Sequence, residues 1–215
     1  MTTDMVAAIR AFGVIPLVVI DDPKRASQLA LALMDGGLPC AEIALRTEGS
    51  LEALRRISEE HPGMLLGAGT VLTVEQAAQA SYAGARFVVS PGMNAKVVDF
   101  CLGQSIPVFP GVCTPTEVES AMALGLDVLK FFPAEAMGGL PFLKAIAAPY
   151  GSVEFIPTGG INAGNLADYL GFDRVVACGG SWMAPQAWIE AGQFDRIREA
   201  TAEAGHIVRD VKGRS

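Results

Sequence analysis

The chain has 215 residues, of which 51% are hydrophobic, and its formal net charge at neutral pH is -7. This length suits one large domain with a substantial core, and its apolar stretches are shorter than the roughly 18 residues of a membrane span. The negative charge argues against nucleic acid or an anionic membrane as a partner, because either would require a basic patch. The first residues, Met-Thr-Thr-Asp, lack the basic flank and apolar core of a signal peptide, so a cytoplasmic location is expected.

Apolar runs alternate with helical patterns along the chain, after a short amphipathic helix predicted at 2–12. Thr73 with Gln76 and Thr114 with Glu117 have the spacing of capping boxes and mark two helix starts. Strands are predicted at 14–20, 40–45, 64–68, 87–90, 107–109, 128–132, 154–157 and 174–178. Helices are predicted at 22–37, 51–60, 73–84, 94–102, 114–125, 140–148, 162–170 and 185–204.

Eight repeated strand–helix units indicate an α/β protein with a parallel sheet and favour a closed (β/α)₈ TIM barrel that follows the short N-terminal helix. We expect a single barrel domain over residues 1–215. The main alternative is a doubly wound open sheet, which would have a phosphate-binding glycine turn after its first strand. Here the first strand ends in Ile20-Asp21-Asp22-Pro23 instead.

Lys130 lies in an apolar run that otherwise resembles a buried strand. A buried ammonium group costs several kcal/mol unless it is paired, so the amine tends to lose its proton. A neutral, desolvated lysine amine can attack a carbonyl carbon and form a Schiff base. The alternative is a structural lysine whose stem follows the strand while its head reaches an ion pair or solvent.

The second predicted strand ends in Glu42-Ile-Ala-Leu-Arg46. In a barrel, chemistry takes place at the C-terminal ends of the strands. The even spacing of Glu42 and Arg46 places both side chains on one face of the strand. If that face is the barrel interior, a carboxylate and a guanidinium point into the space that Lys130 enters. A structural ion pair between Glu42 and Arg46 is the alternative.

Small residues and hydroxyls end several of the other strands. The third strand ends in Gly-Ala-Gly-Thr at 67–70, which lets a ligand approach the backbone, while Ser-Pro-Gly at 90–92 is typical of a turn. The last two strands end in Thr-Gly-Gly at 158–160 and Gly-Gly-Ser at 179–181. Each pair of glycines alone would indicate only a turn. Together, at the ends of barrel strands seven and eight, they predict a phosphate site built from backbone N–H groups.

The cysteines and histidines show no pattern of a metal centre. The four cysteines form no C-x-x-C pair, and Cys40 and Cys178 lie in apolar runs, so buried reduced thiols are expected rather than disulfides or zinc ligands. Neither His61 nor His206 has a second type of ligand at metal spacing. We therefore expect no metal and no other cofactor.

A lysine, a carboxylate, an arginine and a phosphate cradle at one barrel mouth suit a lysine-dependent aldolase that acts on a phosphorylated keto acid. Arg46 would bind the substrate carboxylate through two hydrogen bonds. Lys130 would react with the ketone, and Glu42 would move protons.

The same segments resemble, in the same order, the bacterial 2-keto-3-deoxy-6-phosphogluconate (KDPG) aldolases, which also cleave 4-hydroxy-2-oxoglutarate (KHG). The resemblance covers residues 10–200 and implies a class I aldolase on a (β/α)₈ barrel that forms a homotrimer and needs no metal. It rests on Gly-Gly-Leu at 36–38, Glu-Ile-Ala-Leu-Arg-Thr at 42–47, Gly-Ala-Gly-Thr-Val-Leu at 67–72, Ser-Pro-Gly at 90–92, Lys-Phe-Phe-Pro-Ala-Glu at 130–135, Pro-Thr-Gly-Gly at 157–160 and Gly-Gly-Ser-Trp at 179–182.

The resemblance implies a role for each site residue. Lys130 forms an imine at C2, and Glu42, acting through a water, draws the proton from the C4 hydroxyl as the C3–C4 bond breaks. Glyceraldehyde 3-phosphate leaves, and the lysine-bound enamine is protonated and hydrolysed to pyruvate. The implied substrate-binding residues are Arg46 and Thr70 at the pyruvyl end, Pro91 and Phe132 as pocket walls, and Thr158, Gly159, Gly160, Gly180 and Ser181 on the phosphate side.

One departure and several alternatives accompany this interpretation. Some relatives carry an arginine at the end of the first strand, where this chain has Val18-Val19-Ile20. The main substrate could instead be KHG or the galactonate epimer of the phosphorylated sugar acid. A non-catalytic barrel that binds sugar phosphates and a metal-dependent aldolase are the alternatives outside this chemistry.

Overall fold

A computed structural model describes residues 2–213 of the chain and shows an α/β fold with parallel strands. The strands are β1 (Val14–Val18), β2 (Cys40–Ala44), β3 (Leu65–Gly69), β4 (Phe87–Val89), β5 (Val108–Phe109), β6 (Gly111–Val112), β7 (Val128–Phe131), β8 (Glu154–Pro157) and β9 (Cys178–Gly180). The helices are α1 (Thr2–Phe12), α2 (Ala26–Asp35), α3 (Ser50–Glu60), α4 (Val74–Tyr82), α5 (Ala95–Gly103), α6 (Pro115–Ala123), α7 (Gly139–Ala147), α8 (Leu166–Leu170), α9 (Gln186–Glu190) and α10 (Phe194–Lys212).

The strands form two parallel sheets, with the orders β5-β4-β3-β2-β1-β9 and β6-β7-β8. β5 and β6 are consecutive and separated only by Pro110, which has no N–H to contribute to a ladder. The Pro110 carbonyl accepts the Lys130 N–H at 3.0 Å, so the chain from β5 to β6 joins the first sheet to β7. On the other side, two isolated bridges link the β8 region to the β9 region. Phe155 of β8 pairs with Val175, which precedes β9, and Thr158, which follows β8, pairs with Gly179 of β9.

Alternate side chains of β7 face two different parts of the core. Leu129 and Phe131 are fully buried in a cluster that includes Leu143 and Ile146 of α7. Val128 belongs to another buried cluster, together with the α1 residue Ile9 and with Ile15, Phe87, Phe109 and Ile156 from four other strands. Burial of each such large side chain stabilises the fold by about 1.5–3 kcal/mol. Because side chains alternate along a strand, Lys130 lies on the Val128 face, one step nearer the C-terminal end of the strand.

Several helix boundaries follow the predicted capping patterns. Thr114 and Glu117 form the expected capping box at the start of α6. Thr73 accepts the Gln76 N–H at 3.2 Å, but the Gln76 side chain accepts the N–H of Leu72, one residue before the expected partner. The first turn of α4 is therefore held by a related but shifted pair of contacts.

Three predictions near the end of the chain are wrong. The last strand was expected at 174–178, but β9 spans Cys178–Gly180, and Val175 makes an isolated bridge before it. A helix was expected to start at Asn162, but its Oδ1 accepts the Gly164 N–H at 2.8 Å in a turn, and α8 begins only at Leu166. The last helical region is divided at Gly192, whose φ of 67° no helix accommodates, into α9 and the longer α10. None of the helices within residues 2–213 is long and apolar enough to cross a membrane.

Candidate active site

Lys130 is buried in the middle of β7, with its side chain only 5% exposed. Its neighbours in the parallel ladders are Gly111 of β6 and Ile156 of β8. Its Nζ lies 3.4 Å from Oε1 of Glu42 and 5.2 Å from the centre of the Phe132 ring. The amine therefore has a carboxylate and an aromatic ring as close neighbours.

Glu42 reaches Lys130 from β2, and its side chain is also 5% exposed. The space for its carboxylate comes from Gly69 at the end of β3. A Cβ atom on Gly69 would lie 2.2 Å from Glu42 Oε1, so any side chain there would displace the carboxylate. The pair places a proton acceptor beside a nucleophilic amine in a site from which water is largely excluded, which is the arrangement that amine catalysis of carbonyl chemistry requires.

Arg46 follows the end of β2 and contacts Thr70 rather than Glu42. Its Nε donates a hydrogen bond of 3.0 Å to Thr70 Oγ1. Thr70 has a left-handed φ of 58°, a conformation that costs a non-glycine residue about 1–2 kcal/mol. The expected alternative of a Glu42–Arg46 ion pair is therefore wrong, because Glu42 pairs with Lys130 and Arg46 with Thr70.

A cavity of about 210 Å³ opens beside this group of residues. Of the residues predicted to bind substrate, seven line it: Arg46, Phe132, Thr158, Gly159, Gly160, Gly180 and Ser181. Phe132 also contacts the Lys130 amine, so the amine and the cavity share a wall. Arg46 contributes the one charged side chain among the described lining residues.

The glycine turn after β8 presents its backbone to the cavity. Gly159 and Gly160 have φ values of 102° and 82°, which only glycine adopts without strain. The carbonyls of Thr158 and Gly159 accept hydrogen bonds from Ala134 and Glu135, on the side of the turn that faces the β7–α7 connection. With these carbonyls held outside, the turn is suited to offer N–H groups to an anion inside the cavity.

Two further residues of this cavity, Leu17 and Ile161, were not predicted, and Gly179 was predicted only as part of the Gly-Gly-Ser motif at 179–181. Gly179 is essential to its shape, because a Cβ there would lie 2.4 Å from Thr158 Oγ1. Leu17 could have been found from alternation along the first strand, since it lies two residues beyond the buried Ile15.

Two of the residues predicted to bind substrate, Thr70 and Pro91, are not among the described residues that line this cavity. Thr70 contacts Arg46 instead, and Pro91 lies in a turn. Ser90 Oγ donates to the Gly92 carbonyl at 2.8 Å, so residues 90–92 form a turn. Pro91 lines a separate cavity of about 400 Å³ near the start of α5. Its backbone approaches the site only through Gly111, the ladder neighbour of Lys130, where a Cβ would lie 2.1 Å from the Pro91 carbonyl oxygen.

The thiols lie apart from this chemistry. Cys40, Cys101 and Cys178 are buried and free, and Cys113 is partly buried. Burial raises the pKa of the Cys101 thiol to about 11 and raises those of Cys40 and Cys178 further. Within the described part of the chain, no group of three or more His, Cys, Asp and Glu side chains is arranged to hold a metal ion.

Comparison with known proteins matches the geometry to one family. The family model described as KDPG and KHG aldolase matches residues 5–200. The 2-dehydro-3-deoxy-phosphogluconate aldolase of Treponema pallidum is 49% identical over 201 residues, which cover 94% of this chain and 96% of that protein.

Two crystal structures of KDPG aldolases have closely similar folds. The enzyme from Legionella pneumophila, with pyruvate captured as a covalent carbinolamine intermediate, matches with a TM-score of 0.89 and 39% identity, covering 93% of this chain and 97% of that one. The enzyme from Zymomonas mobilis ZM4, with 3-phosphoglycerate, matches with a TM-score of 0.88 and 40% identity, covering 95% and 96%. These matches confirm the resemblance inferred from the motifs. The chain therefore belongs to the KDPG and KHG aldolase family.

Proposed function

We propose that this chain is a class I aldolase that cleaves KDPG to pyruvate and glyceraldehyde 3-phosphate through a Schiff base on Lys130. The observation that carries the proposal is the buried Lys130 amine, 3.4 Å from the Glu42 carboxylate and beside a glycine-lined cavity. The covalent carbinolamine that pyruvate forms in the Legionella pneumophila relative supports the same chemistry.

The reaction begins when the Lys130 amine adds to the C2 carbonyl and the carbinolamine loses water to give an iminium ion. Glu42 takes the proton of the C4 hydroxyl while the electrons of the C3–C4 bond move into the iminium, which becomes an enamine. The aldehyde product leaves, Glu42 returns a proton to C3, and water releases pyruvate. Arg46 binds the C1 carboxylate through its guanidinium fork, in a position held by Thr70.

The phosphate end of the substrate occupies the cavity lined by the glycine turn after β8 and by the glycines of β9. Backbone N–H groups of Gly159, Gly160 and Gly180 and the Ser181 hydroxyl bind the phosphate there, because such groups bind anions without a lysine. The 3-phosphoglycerate in the Zymomonas mobilis relative supports a site for a phosphorylated three-carbon compound. Leu17 of β1 adds only an apolar side chain to this cavity. At the end of the first strand, where some relatives carry an arginine, this chain has Val18-Val19-Ile20, so less positive charge contributes to binding here.

The finer architecture belongs to the same proposal. We infer that the strands close into one (β/α)₈ TIM barrel that forms a single aldolase domain over residues 1–215. The continuity of β5 and β6 and the two bridges between β8 and the β9 segment support closure. The family resemblance supports a homotrimer that needs no metal. A phosphorylated substrate, whose charge prevents it from crossing a membrane, supports a cytoplasmic location.

The test is to trap the intermediate. The protein is incubated with pyruvate, reduced with sodium borohydride and mapped by mass spectrometry, with Lys130→Ala as the loss variant and the exposed Lys96→Ala as a matched control. We expect one pyruvyl adduct, on Lys130, that persists in Lys96→Ala and is lost in Lys130→Ala. No adduct, or an adduct spread over surface lysines, would refute the mechanism. Steady-state kinetics with KDPG, KHG and the galactonate epimer then rank the substrates, and a preference for KHG would refute the substrate assignment.

A further inference from the structure

Glu135 and Tyr169 form a hydrogen-bonded pair behind the glycine turn of the proposed phosphate site. The Tyr169 hydroxyl donates to Oε1 of Glu135 at 2.5 Å. Tyr169 belongs to α8 and is only 1% exposed, whereas Glu135 lies at the surface on the connection between β7 and α7. Both line an open cavity of about 700 Å³ that is separate from the cavity beside Lys130. The mechanism described above uses neither residue.

The Glu135 side of this pair is fastened directly to the turn. The N–H groups of Ala134 and Glu135 donate to the carbonyls of Thr158 and Gly159 at 2.9 Å and 3.0 Å. The Glu135 side chain packs against Gly160 so closely that a Cβ on this glycine would lie 2.6 Å from Glu135 Cβ. The position of the turn therefore follows the position of the segment that carries Glu135.

The Tyr169 side of the pair is fastened to the same turn from its other end. The amides of Asn162 and Asn165 donate to the Gly160 carbonyl at 3.1 Å and 3.2 Å, immediately before α8 begins. The Tyr169–Glu135 contact thus links the helix after the turn to the connection that follows β7, the strand of Lys130. It closes a ring of contacts around the turn.

We propose that Tyr169 and Glu135 are positioning residues that hold the glycine turn at the distance from Lys130 that a phosphorylated keto acid requires. The inference rests on the proposed function and deepens it, since it names what sets the preference for a phosphorylated substrate. Loss of the contact lets the turn move and weakens several backbone contacts to the phosphate at once. The pyruvyl end, held by Lys130, Glu42 and Arg46, is not affected.

The test compares a phosphorylated and an unphosphorylated ligand in the same variants. KDPG cleavage reports on both ends of the site, whereas exchange of the pyruvate methyl protons for deuterium, followed by NMR, reports on the lysine end alone. In Tyr169→Phe we expect the KM for KDPG to rise about ten-fold, as for loss of one buried hydrogen bond. The kcat for KDPG and the rate of pyruvate exchange should stay near the wild-type values.

Three further variants separate positioning from general damage. Glu135→Ala should reproduce the rise in KM, and Glu135→Gln, which keeps an acceptor oxygen, should restore most of the affinity. Tyr150→Phe is the matched control, because the Tyr150 hydroxyl also donates to a glutamate, Glu119 Oε1, at 3.0 Å. Tyr150 precedes β8, whereas the glycine turn follows this strand. We expect Tyr150→Phe to leave both readouts unchanged.

Equal losses in KDPG cleavage and pyruvate exchange would overturn the inference, since they would indicate a merely structural role. An unchanged KM for KDPG in both Tyr169→Phe and Glu135→Ala would also overturn it. If thermal unfolding shows that Tyr169→Phe does not fold, the two variants of the exposed Glu135 decide the outcome by the same criteria. A wild-type protein that neither exchanges pyruvate nor cleaves KDPG would refute the proposed function itself, and this result is distinguishable because it needs no variant.

Discussion

The Nζ of Lys130 lies 3.4 Å from Oε1 of Glu42, although the two residues are 88 positions apart in the chain. Both side chains are 5% exposed, so the pair is largely removed from contact with water. Breaking such a buried pair leaves one uncompensated group, which is more damaging than the loss of an exposed ion pair. Variants of Glu42 must therefore keep the shape of its side chain if their kinetics are to report on chemistry rather than stability.

Glu42→Gln keeps the shape of the side chain but removes its capacity to accept a proton. We expect kcat for KDPG to fall by about 10²–10⁴-fold, the usual contribution of a positioned acid or base. The pyruvyl adduct on Lys130 should still form at long incubation times, because the amine itself is retained. Steady-state kinetics and borohydride trapping measure the two effects. Glu59→Gln, which alters an exposed partner of Arg55, serves as the control, and a kcat equal to that of the wild type would contradict the role of Glu42.

Gly69→Ala tests whether the Glu42 carboxylate must occupy its observed position. The added methyl group would lie 2.2 Å from Oε1 and must push the carboxylate away from Lys130. We expect kcat to fall at least ten-fold, together with a loss of about 1–3 kcal/mol in the free energy of unfolding from overpacking. Gly103→Ala at the end of α5 is the control, because no atom lies within 4 Å of the new methyl group. We expect it to lower neither kcat nor the free energy of unfolding. A fully active Gly69→Ala protein would show that the pair tolerates displacement.

The sequence predicted the burial of Lys130 because apolar residues on both sides of it leave a strand no solvated face. It predicted the glycine turn because Thr-Gly-Gly and Gly-Gly-Ser end the last two strands, where parallel topology brings them together. These predictions depend on local pattern plus topology. The lining of one cavity by Thr158, Gly159, Gly160, Gly180 and Ser181 follows from the same argument.

Other relationships depend on contacts that local pattern does not contain. Alternation along β2 placed Glu42 and Arg46 on one face, but the strand ends at Ala44, and a turn then carries Arg46 towards Thr70. The unexpected start of α8 similarly places Tyr169 against Glu135, because the Asn162 turn delays the helix. In both regions the deciding residues lie where regular structure ends, so the period of the side chains no longer determines their direction.

Arg46→Lys tests whether the arginine binds the substrate carboxylate or the substrate phosphate. Lysine keeps the charge but loses the planar fork and the Nε hydrogen bond to Thr70. If Arg46 binds the carboxylate, the KM for KDPG and the half-saturating concentration for pyruvate exchange should both rise about ten-fold or more. A rise confined to KDPG would contradict this assignment and indicate that Arg46, which lines the cavity, serves the phosphate. Arg56→Lys on the exposed face of α3 is the control.

Alkaline pH should destabilise the fold through its buried thiols. Burial raises the pKa values of Cys40 and Cys178 far above the ordinary value of a thiol. When the pKa of a group is higher in the folded state, its contribution to stability is complete at any pH below its pKa in the unfolded state. This contribution is lost as the pH rises from there towards the folded-state pKa. Above about pH 9 we therefore expect the free energy of unfolding to fall by up to ~1.4 kcal/mol per pH unit for each such thiol.

Urea unfolding between pH 7 and pH 10.5, under reducing conditions, measures this slope. The Cys40→Ala/Cys178→Ala double variant should be less stable at pH 7, because it leaves two small cavities, yet its stability should decline less steeply above pH 9. The exposed tyrosine variant Tyr82→Phe is the control and should follow the wild-type curve. If the free energy of unfolding falls equally with pH in the wild type and the double variant, Cys40 and Cys178 are not the cause of the alkaline destabilisation. Only the wild type contains these two thiols.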